Sequence, residues 1–340
     1  MNILGIAGLC IDASSALIKN DKVVAAIEEE RIKRVKHISI IQSGGLPYES
    51  IETCLKIGNI NYKDIDHVGY FFQPFREYFS MSLFRLLRSY KSPSTFLYYQ
   101  INYLDNLRRH LLIKKILEDK CNKNVKFNFF SHHLTHAASV YYPSPFEESA
   151  ILVIDAISEI ESSSLYYAKG NKIKRLLKYN FPHSLGFLYS MITDYLGFKS
   201  NNDEYKVMGL ASYGQPEYYN KLKNVVKVLK TGEIKINFEY FNKHFRGKKY
   251  FSEKFIKEFG SYRLPDENIE QRHINMASSI QKLLEEIVFL MLKNLKKLTG
   301  SKNICLSGGV ALNCKMNGLI IESRIFENVH IEPAPHDAGS

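Results

Sequence analysis

"NILGIAGLCIDASSALIKNDKVVAAIEEE", residues 2–30, decides the fold class at the start of this 340-residue chain. Its apolar runs NILGIAG, SSALI and VVAAI are short, and the turn KNDK joins the second run to the third. Short runs that are rich in apolar and β-branched residues and bounded by turn residues predict β-strands. The loop between the first two runs carries Asp12. The segment therefore predicts three antiparallel strands with an acidic loop after the first.

The same order of elements returns in the second half of the chain. The apolar run SAILVI ends at Asp155, the strand patterns SSSLYYAKG and KIKRLLKYN follow, and LGFLYSMITDYLG has helical spacing. Asp12 and Asp155 thus occupy the same place in two repeats, which indicates an internal duplication. A duplicated order of this kind predicts an α/β chain with the actin-like ATPase (ribonuclease-H-like) fold, in which two lobes have mixed sheets flanked by helices. We place the first lobe at residues 1–148 and the second at 149–340.

Further elements follow from local patterns. Residues 48–57 and 275–298 have apolar residues at helical spacing, and HVGYFF and VKFNFF predict strands. Residues 79–119 form a basic, aromatic helical region that we interpret as a surface insertion in the first lobe. DEYKVMGLASYG mixes acid, base and glycine without a clear period, which favours an active-site loop.

Composition excludes several classes of protein. No apolar run approaches the roughly 18 residues needed to cross a bilayer, and no signal-peptide pattern opens the chain, so we expect no membrane partner. Five scattered cysteines without a C-x-x-C pair indicate reduced thiols and a cytoplasmic location. The net charge of +11 has two explanations, attraction to phosphorylated substrates or nucleic acid, and ordinary solvated helix faces. Because no nucleic-acid-binding motif accompanies the charge, we do not expect a nucleic-acid partner.

A histidine-rich turn is the first candidate site. In SHHLTHAASV, His132 and His136 are four residues apart, so on a helix both face one side and can reach one ion. A zinc peptidase would need glutamate where His133 stands. Asp155 and Asp337, each in a loop at a strand end, supply carboxylates that could complete a site for Fe(II), Zn or Mn, which spacing does not distinguish. The alternative is a surface histidine cluster.

Two further segments carry candidate chemistry. In LSGGVALN, Gly308 and Gly309 follow a buried strand and open a helix, where backbone N–H groups can receive a phosphate. Tight packing of the strand against the helix would also require glycine. Lys36 and His37 in ERIKRVKHI are polar candidates, and the alternative is a solvated connection between a strand and a helix.

Together these segments resemble the nodulation and antibiotic O-carbamoyltransferase family. The matching stretches run in family order over nearly the whole chain: GIAGLCIDASSALI, VVAAIEEERIKRVKH, SHHLTHAASVYYPSPF, SLGFLYSMITDYLGF, DEYKVMGLASYG, SGGVALNCKMNG and PAPHDAG. The resemblance implies an actin-like fold related to tRNA threonylcarbamoyl transferase. It also implies that ATP and carbamoyl phosphate form carbamoyl-adenylate in a C-terminal YrdC-like domain. The N-terminal domain then passes the carbamoyl group to a hydroxyl of a sugar, an antibiotic or another small molecule beside a divalent transition metal of the iron type, Fe(II).

The family's site residues carry over to positions of this sequence. The resemblance implies metal ligands at His132, His136, Asp155 and Asp337, adenylate contacts at Gly186, Gly308, Gly309 and Asn313, and Lys36 near the transferred group. A cation beside the acyl-phosphate would stabilise the charge that develops as the carbamoyl group leaves.

Three departures from the family pattern matter. Ile11 stands where family members usually have the histidine of H-D, so Asp12 and His37 are the remaining catalytic candidates for the base that deprotonates the acceptor. D-G-x-G-E loses two glycines, to Ala156 and Ser158. The sequence stops at residue 340, where family members continue through the rest of this lobe and into the YrdC-like domain, so we expect the chain alone to be incomplete for full activity.

Two other functions stay open at this level. One is a degenerate domain that binds nucleotide and metal without turnover, which the loss of histidine at position 11 would favour. The other is a protein related to tRNA threonylcarbamoylation, which the basic charge would favour. A homodimer is also compatible with the sequence.

Overall fold

The computed structural model describes residues 1–89, 93–242 and 250–340, and it divides the chain into two compact units. Unit 1 comprises Met1–Tyr142, Ser158–Ile160 and Glu332–Ser340, and unit 2 comprises Pro143–Ile157 and Glu161–Ile331. The lobe boundary that we predict at residue 148 stays a prediction. The main segment of unit 1 ends at Tyr142, and two short segments of the second half also pack within unit 1.

Unit 1 is built around a five-stranded mixed sheet in the order β3-β2-β1-β4-β5. Its strands are β1 (Asn2–Ala7), β2 (Ser14–Lys19), β3 (Lys22–Glu28), β4 (His67–Tyr70) and β5 (Lys126–Phe129). Its helices are α1 (Glu29–Lys33), α2 (Tyr48–Ile57), α3 (Pro74–Ser89), α4 (Pro93–Cys121) and α5 (His132–Tyr141). β1 pairs antiparallel with β2 and parallel with β4, so the sheet is antiparallel on one side of β1 and parallel on the other.

Unit 2 holds a second five-stranded sheet, in the order β12-β11-β6-β7-β8, and a separate hairpin, β9–β10. Its strands are β6 (Glu148–Ile154), β7 (Glu161–Lys169), β8 (Lys172–Asn180), β9 (Val226–Val228), β10 (Ile234–Ile236), β11 (Asn303–Ser307) and β12 (Asn328–Ile331). Its helices are α6 (Leu185–Tyr195), α7 (Glu204–Leu210), α8 (Tyr219–Val225), α9 (Glu253–Phe259), α10 (Gln271–Thr299) and α11 (Cys314–Ser323).

The two sheets share one topology, which confirms the predicted duplication. In each sheet three successive strands form an antiparallel meander, and two later strands extend it in parallel from the first strand of the meander. Asp12 follows β1 and Asp155 follows β6, so the two aspartates lie at equivalent positions. The α/β architecture, with two mixed sheets and flanking helices, is the predicted fold class.

Helix α10 shows why the spacing of apolar residues predicts a helix correctly. Its buried apolar residues recur at three- and four-residue spacing from Met276 to Leu295, which is the period of a helix with one core-facing side. The helix ends at Gly300, whose φ of 65° is a left-handed conformation that glycine adopts at low cost. The predicted helix over residues 275–298 is therefore confirmed.

One sequence-based expectation needs correction. DEYKVMGLASYG is not a loop, because Glu204–Leu210 is α7 and Ala211–Tyr213 is a 3₁₀ turn. The helical pattern is hard to recognise in the sequence, because Val207 is the one buried residue of α7. The charges in this segment belong partly to an ion pair, which joins Lys206 to Asp203 just before the helix at 3.0 Å. The prediction of a basic helical region over residues 79–119 is confirmed for the described residues, which belong to two helices, α3 and α4. Within the described ranges, none of the helices is both long and apolar enough to cross a membrane.

Candidate functional site

Helix α5 carries the two candidate metal-binding histidines on its buried side. His132 and His136 are 2% and 0% exposed, and their Nε2 atoms lie 3.2 Å apart. Asp337, from the C-terminal segment of unit 1, places Oδ1 3.3 Å from Nε2 of His132 and 3.6 Å from Nε2 of His136. Two imidazoles and a carboxylate therefore converge on one point, from positions about 200 residues apart in sequence.

The spacing of these three atoms fits a bound metal ion. Ligand atoms about 2.1 Å from a common ion stand about 3.0–3.4 Å apart in tetrahedral or octahedral geometry. The observed separations of 3.2, 3.3 and 3.6 Å are close to that range. A set of two histidines and a carboxylate suits Fe(II), Zn or Mn. It does not suit Ca²⁺ or Mg²⁺, which prefer ligand sets made of oxygen atoms. The residues present thus fit a divalent transition metal.

Glu159 fixes the helix that carries the histidines. Its Oε1 accepts hydrogen bonds from the backbone N–H of His132 at 3.1 Å and of Gln73 at 3.0 Å. The carboxylate is fully buried and lies at the start of α5, where an acidic group also offsets the partial positive charge of the helix end. Burial first, and then the negative charge of Glu159, raise the pKa of Glu77 to about 7. Glu159 therefore holds the start of α5, which carries the two candidate ligand histidines, in place.

We expect Glu159→Ala to lower the free energy of unfolding by about 2–4 kcal/mol, because a buried N–H group and a half-buried one lose their charged acceptor. Metal affinity should fall about 10–100-fold, as for other residues that orient ligands without touching the metal. Denaturant unfolding and a metal titration measure the two effects. Glu52→Ala, an exposed glutamate on α2, is the matched control and should change stability by less than about 0.5 kcal/mol. Unchanged metal affinity in Glu159→Ala would refute the positioning role.

Asp12 and His37 form a second polar group in unit 1. Nδ1 of His37 lies 2.6 Å from Oδ1 of Asp12, and the backbone N–H of His37 donates to Oε2 of Glu30 at 2.7 Å. Both Asp12 and His37 have left-handed backbone conformations, with φ of 55° and 57°. Such strained backbone at non-glycine residues is concentrated at functional sites.

The pair has the geometry of an oriented base. Burial raises the pKa of Asp12, and the hydrogen bond from His37 and the proximity of His336 oppose that rise. When Nδ1 carries the proton that Asp12 accepts, Nε2 of His37 is left as the basic nitrogen. Nε2 is buried and has no hydrogen-bond partner among the described residues. An imidazole held in one tautomer by a carboxylate is the arrangement of a general base.

Consecutive residues, His336 and Asp337, link the candidate metal cluster to the candidate base. Nε2 of His336 lies 3.9 Å from Oδ2 of Asp12, and the next residue, Asp337, faces the two histidines of α5. The hydroxyl of Ser14 donates to the carbonyl of Ala338 at 2.8 Å, which holds this segment against β2. The two candidate groups of unit 1 are therefore neighbours.

Unit 2 brings together Asp155 and three of the predicted glycine contacts. An added Cβ at Gly186 would lie 2.7 Å from the carbonyl oxygen of Asp155, and one at Gly308 would lie 2.3 Å from that of Ile154. Gly308 also has a φ of +88°, which favours glycine, whereas a Cβ at Gly309 would meet one atom, Oδ1 of Asp155, at 3.3 Å. The end of β6 is thus closely surrounded by glycine backbone.

Asn313 is committed to the protein itself. Its Oδ1 accepts from the backbone N–H of Met316 and caps α11, and its side chain exchanges two hydrogen bonds with the amide of Gln281. Lys36 is exposed in the connection that leads from α1 to His37. Sequence reasoning missed Glu159, Glu30 and His336 as partners of the site. For His336, its position next to Asp337 was the available signal.

Comparison with known proteins gives a consistent result. The sequence profile of the family described as carbamoyltransferase N-terminus matches residues 2–340. An uncharacterized protein of Synechocystis sp. is 36% identical, and the alignment covers 99% of this chain and 55% of that protein. Nodulation protein NolNO of Sinorhizobium fredii is 34% identical, with 96% of this chain and 45% of that protein covered. The chain spans about half the length of these curated relatives.

Solved structures agree on the fold. HypF of T. kodakarensis superposes with a TM-score of 0.51 at 13% identity, covering 99% of this chain and 46% of that one. Component A of the (R)-2-hydroxyglutaryl-CoA dehydratase of Acidaminococcus fermentans has a TM-score of 0.50 at 11% identity, covering 100% and 94%. At such identities the likeness concerns the fold alone, and the fold is that of the actin-like ATPases.

Proposed function

The chain belongs to the family of carbamoyltransferase N-terminal domains, and on this premise we propose that it transfers a carbamoyl group to a hydroxyl of a small molecule such as a sugar or an antibiotic. The donor in this proposal is carbamoyl-adenylate, formed from carbamoyl phosphate and ATP. We assign its formation to a YrdC-like domain outside residues 1–340.

One observation carries the proposal, namely that the candidate metal cluster and the Asp12–His37 pair are linked by His336 and Asp337. Transfer of an acyl group to a hydroxyl needs a group that removes the hydroxyl proton and a group that stabilises charge on the acyl donor. Unit 1 offers candidates for both at adjacent positions.

In the proposed reaction, Nε2 of His37 accepts the proton of the acceptor hydroxyl while the hydroxyl oxygen attacks the carbamoyl carbon. Asp12 holds the imidazole in the required tautomer and stabilises the imidazolium that forms. The bond from the carbamoyl carbon to the phosphate oxygen breaks, AMP leaves with the electron pair, and the acceptor becomes a carbamate ester. When bound, Fe(II) or another divalent metal would supply Lewis-acid stabilisation of the developing negative charge.

Unit 2 would hold the nucleotide and complete the metal site in this proposal. Asp155, at the end of β6, is the candidate fourth ligand, with His132, His136 and Asp337 as the others. The backbone at Gly308 and Gly309 would approach the phosphate, which the N-terminus of α11 would also attract. Because the side chain of Asn313 already caps that helix, we assign it the role of shaping the turn.

We expect Gly309→Val to weaken binding of ATP or an adenylate analogue about tenfold or more, because its branched side chain would occupy the space next to the backbone N–H groups. Gly309 suits this test better than Gly308, where a side chain would collide with β6 and disturb the fold. Gly318→Val is the matched control, since a Cβ there meets nothing within 4 Å. Calorimetry measures the affinity, and equal affinity in the two variants would remove Gly309 from the nucleotide site.

Labelled transfer separates the proposed function from its alternatives. The protein is incubated with ATP and a YrdC-like protein in two mixtures. One contains radiolabelled carbamoyl phosphate and small-molecule hydroxyl acceptors, and the other contains radiolabelled threonine, bicarbonate and tRNA. Label in a small-molecule carbamate ester supports the proposal. Label in tRNA would favour a role related to threonylcarbamoylation, and binding of nucleotide and metal without labelled product would favour a degenerate domain.

A further inference from the structure

The long helices α3 and α4 of unit 1 pack against each other as an antiparallel hairpin. The hydroxyl of Ser82 donates to the amide oxygen of Gln100 at 2.8 Å, and the guanidinium of Arg85 lies 3.7 Å from the ring centroid of Tyr99. One side of the hairpin is buried, through residues such as Met81 on α3 and Ile113 on α4. The opposite side is exposed, and we call it the outer face.

The outer face is apolar on α3. Phe75, Phe79, Leu83 and Leu87 follow one another at four-residue intervals, Leu86 lies beside them, and all five are 49–68% exposed. Side chains at this spacing lie along one side of a helix. The exposed stripe of α3 is thus formed by large apolar side chains, where a surface helix ordinarily presents polar ones.

A second apolar stripe runs along α4. It consists of Leu97, Tyr98, Ile101, Leu104, Leu111 and Leu112, which are 38–60% exposed. Successive residues of a helix are rotated by 100° around its axis. On each helix the apolar stripe is therefore rotated by about 120° from the residues that contact the other helix. Because the two helices run in opposite directions, this rotation brings both stripes to the same side of the hairpin. They form one surface, two helices wide.

The size of this surface sets it apart from ordinary exposed apolar residues. Its exposed fractions correspond to roughly 1,000 Å² of accessible area, whereas the largest apolar patch on a typical monomer is about 300–600 Å². Patches of this size mark contacts with a protein or a membrane.

The charges on and around the outer face decide between these partners. Arg108 and Lys115 are exposed on the same side of α4, and basic residues outnumber acidic ones along the hairpin. Asp105 is already paired with Arg109 at 2.8 Å. Two copies that met face to face would bury the Arg108 and Lys115 side chains of both copies in one interface. An anionic lipid surface would instead attract them, while long basic side chains reach from an apolar surface to the lipid headgroups.

We propose that the outer face of the α3–α4 hairpin binds the surface of an anionic lipid bilayer. The helices lie in the plane of the interface, with the apolar stripes among the acyl chains and Arg108 and Lys115 at the headgroups. This surface departs from the expectation of no membrane partner, which rested on the absence of a spanning segment. An interfacial helix needs an apolar side and no such segment.

Vesicle flotation tests the proposal. We expect the protein to float with vesicles that contain phosphatidylglycerol, and to float less with pure phosphatidylcholine or at high salt. Phe79→Ser with Leu83→Ser should abolish flotation, and Arg108→Glu with Lys115→Glu should lower binding to anionic vesicles about tenfold or more. Ile321→Ser, at a similarly exposed residue of unit 2, is the matched control and should float like the parent protein. Circular dichroism and thermal unfolding check that every variant is folded.

A tryptophan reporter gives a second reading. The sequence contains no tryptophan, so Phe79→Trp places a single fluorophore on the outer face and Leu298→Trp places one at an exposed position of α10. Emission from Trp at position 79 should shift to the blue and be quenched by brominated lipid, whereas Trp at position 298 should be unaffected. Absence of flotation and of quenching would overturn the proposal. A dimer in light scattering that becomes a monomer in Phe79→Ser with Leu83→Ser, without lipid binding, would assign the face to a second copy.

Discussion

Replacing His132 and His136 together with alanine is expected to abolish binding of a divalent transition metal. The parent protein, reconstituted with Fe(II), Zn or Mn, should hold about one ion per chain, because two imidazoles and the Asp337 carboxylate converge at ligand spacing. With both imidazoles gone, one carboxylate of unit 1 remains at that point, and we expect affinity to fall by about a thousandfold or more. Elemental analysis after desalting measures the occupancy.

His133→Ala is the matched control for this prediction. His133 is fully buried on the same helix but does not belong to the convergent cluster. His133→Ala should therefore lower the stability of the protein by removing a buried imidazole, as the double variant does, but leave metal occupancy unchanged. Full occupancy in the double variant, or equal loss in His133→Ala, would contradict the assignment of the metal site.

Asp12→Asn and His37→Ala are each expected to lower the rate of carbamoyl transfer by about 10²–10⁴-fold, which is the usual contribution of a general base. Asparagine cannot stabilise an imidazolium as the Asp12 carboxylate does, and alanine offers no proton acceptor. Metal content should stay at the parent level, because neither residue belongs to the cluster on α5. Transfer kinetics and elemental analysis of the same samples separate the two roles.

Two further variants sharpen this result. His67→Ala changes a histidine of β4 that lies in neither group and should leave the rate unchanged. Ile11→His restores the family's H-D pair at a half-buried position. If His37 is the base, Ile11→His should change the parent rate only a few-fold and partly rescue His37→Ala. A large gain from Ile11→His in the parent would show that position 11, and not His37, is where the base belongs.

The parts of the fold that could be predicted from the sequence are those with a local cause. The strands near Asp12 and Asp155 and the helix over residues 48–57 each follow from periodicity or spacing within a few residues. The duplication indicated the fold class, two lobes with mixed sheets, because the same order of elements occurs twice in the chain. Local patterns failed at α7, where one buried residue and mixed charges hide the helical period.

The site was predictable in its residue types and not in its connections. Spacing within a helix brought His132 and His136 together, but nothing in the sequence shows that Glu159 accepts from the backbone of His132, or that His37 pairs with Asp12. These contacts join residues 27 and 25 positions apart, and they depend on how loops cross the end of a sheet. The apolar outer face was hidden for the same reason, since α3 and α4 appear in sequence as one basic region.

The central claim, metal-supported carbamoyl transfer by this chain, is tested most directly with preformed carbamoyl-adenylate labelled in the carbamoyl group. The donor is supplied to the metal-loaded protein together with the small-molecule fraction of an extract from the source cells, which bypasses the YrdC-like step. We predict base-labile label in a small hydroxyl compound, formed by the parent protein and His133→Ala and absent with the His132→Ala, His136→Ala double variant. Label that stays on the donor or is released at the same rate with both the parent and the double variant would contradict the account.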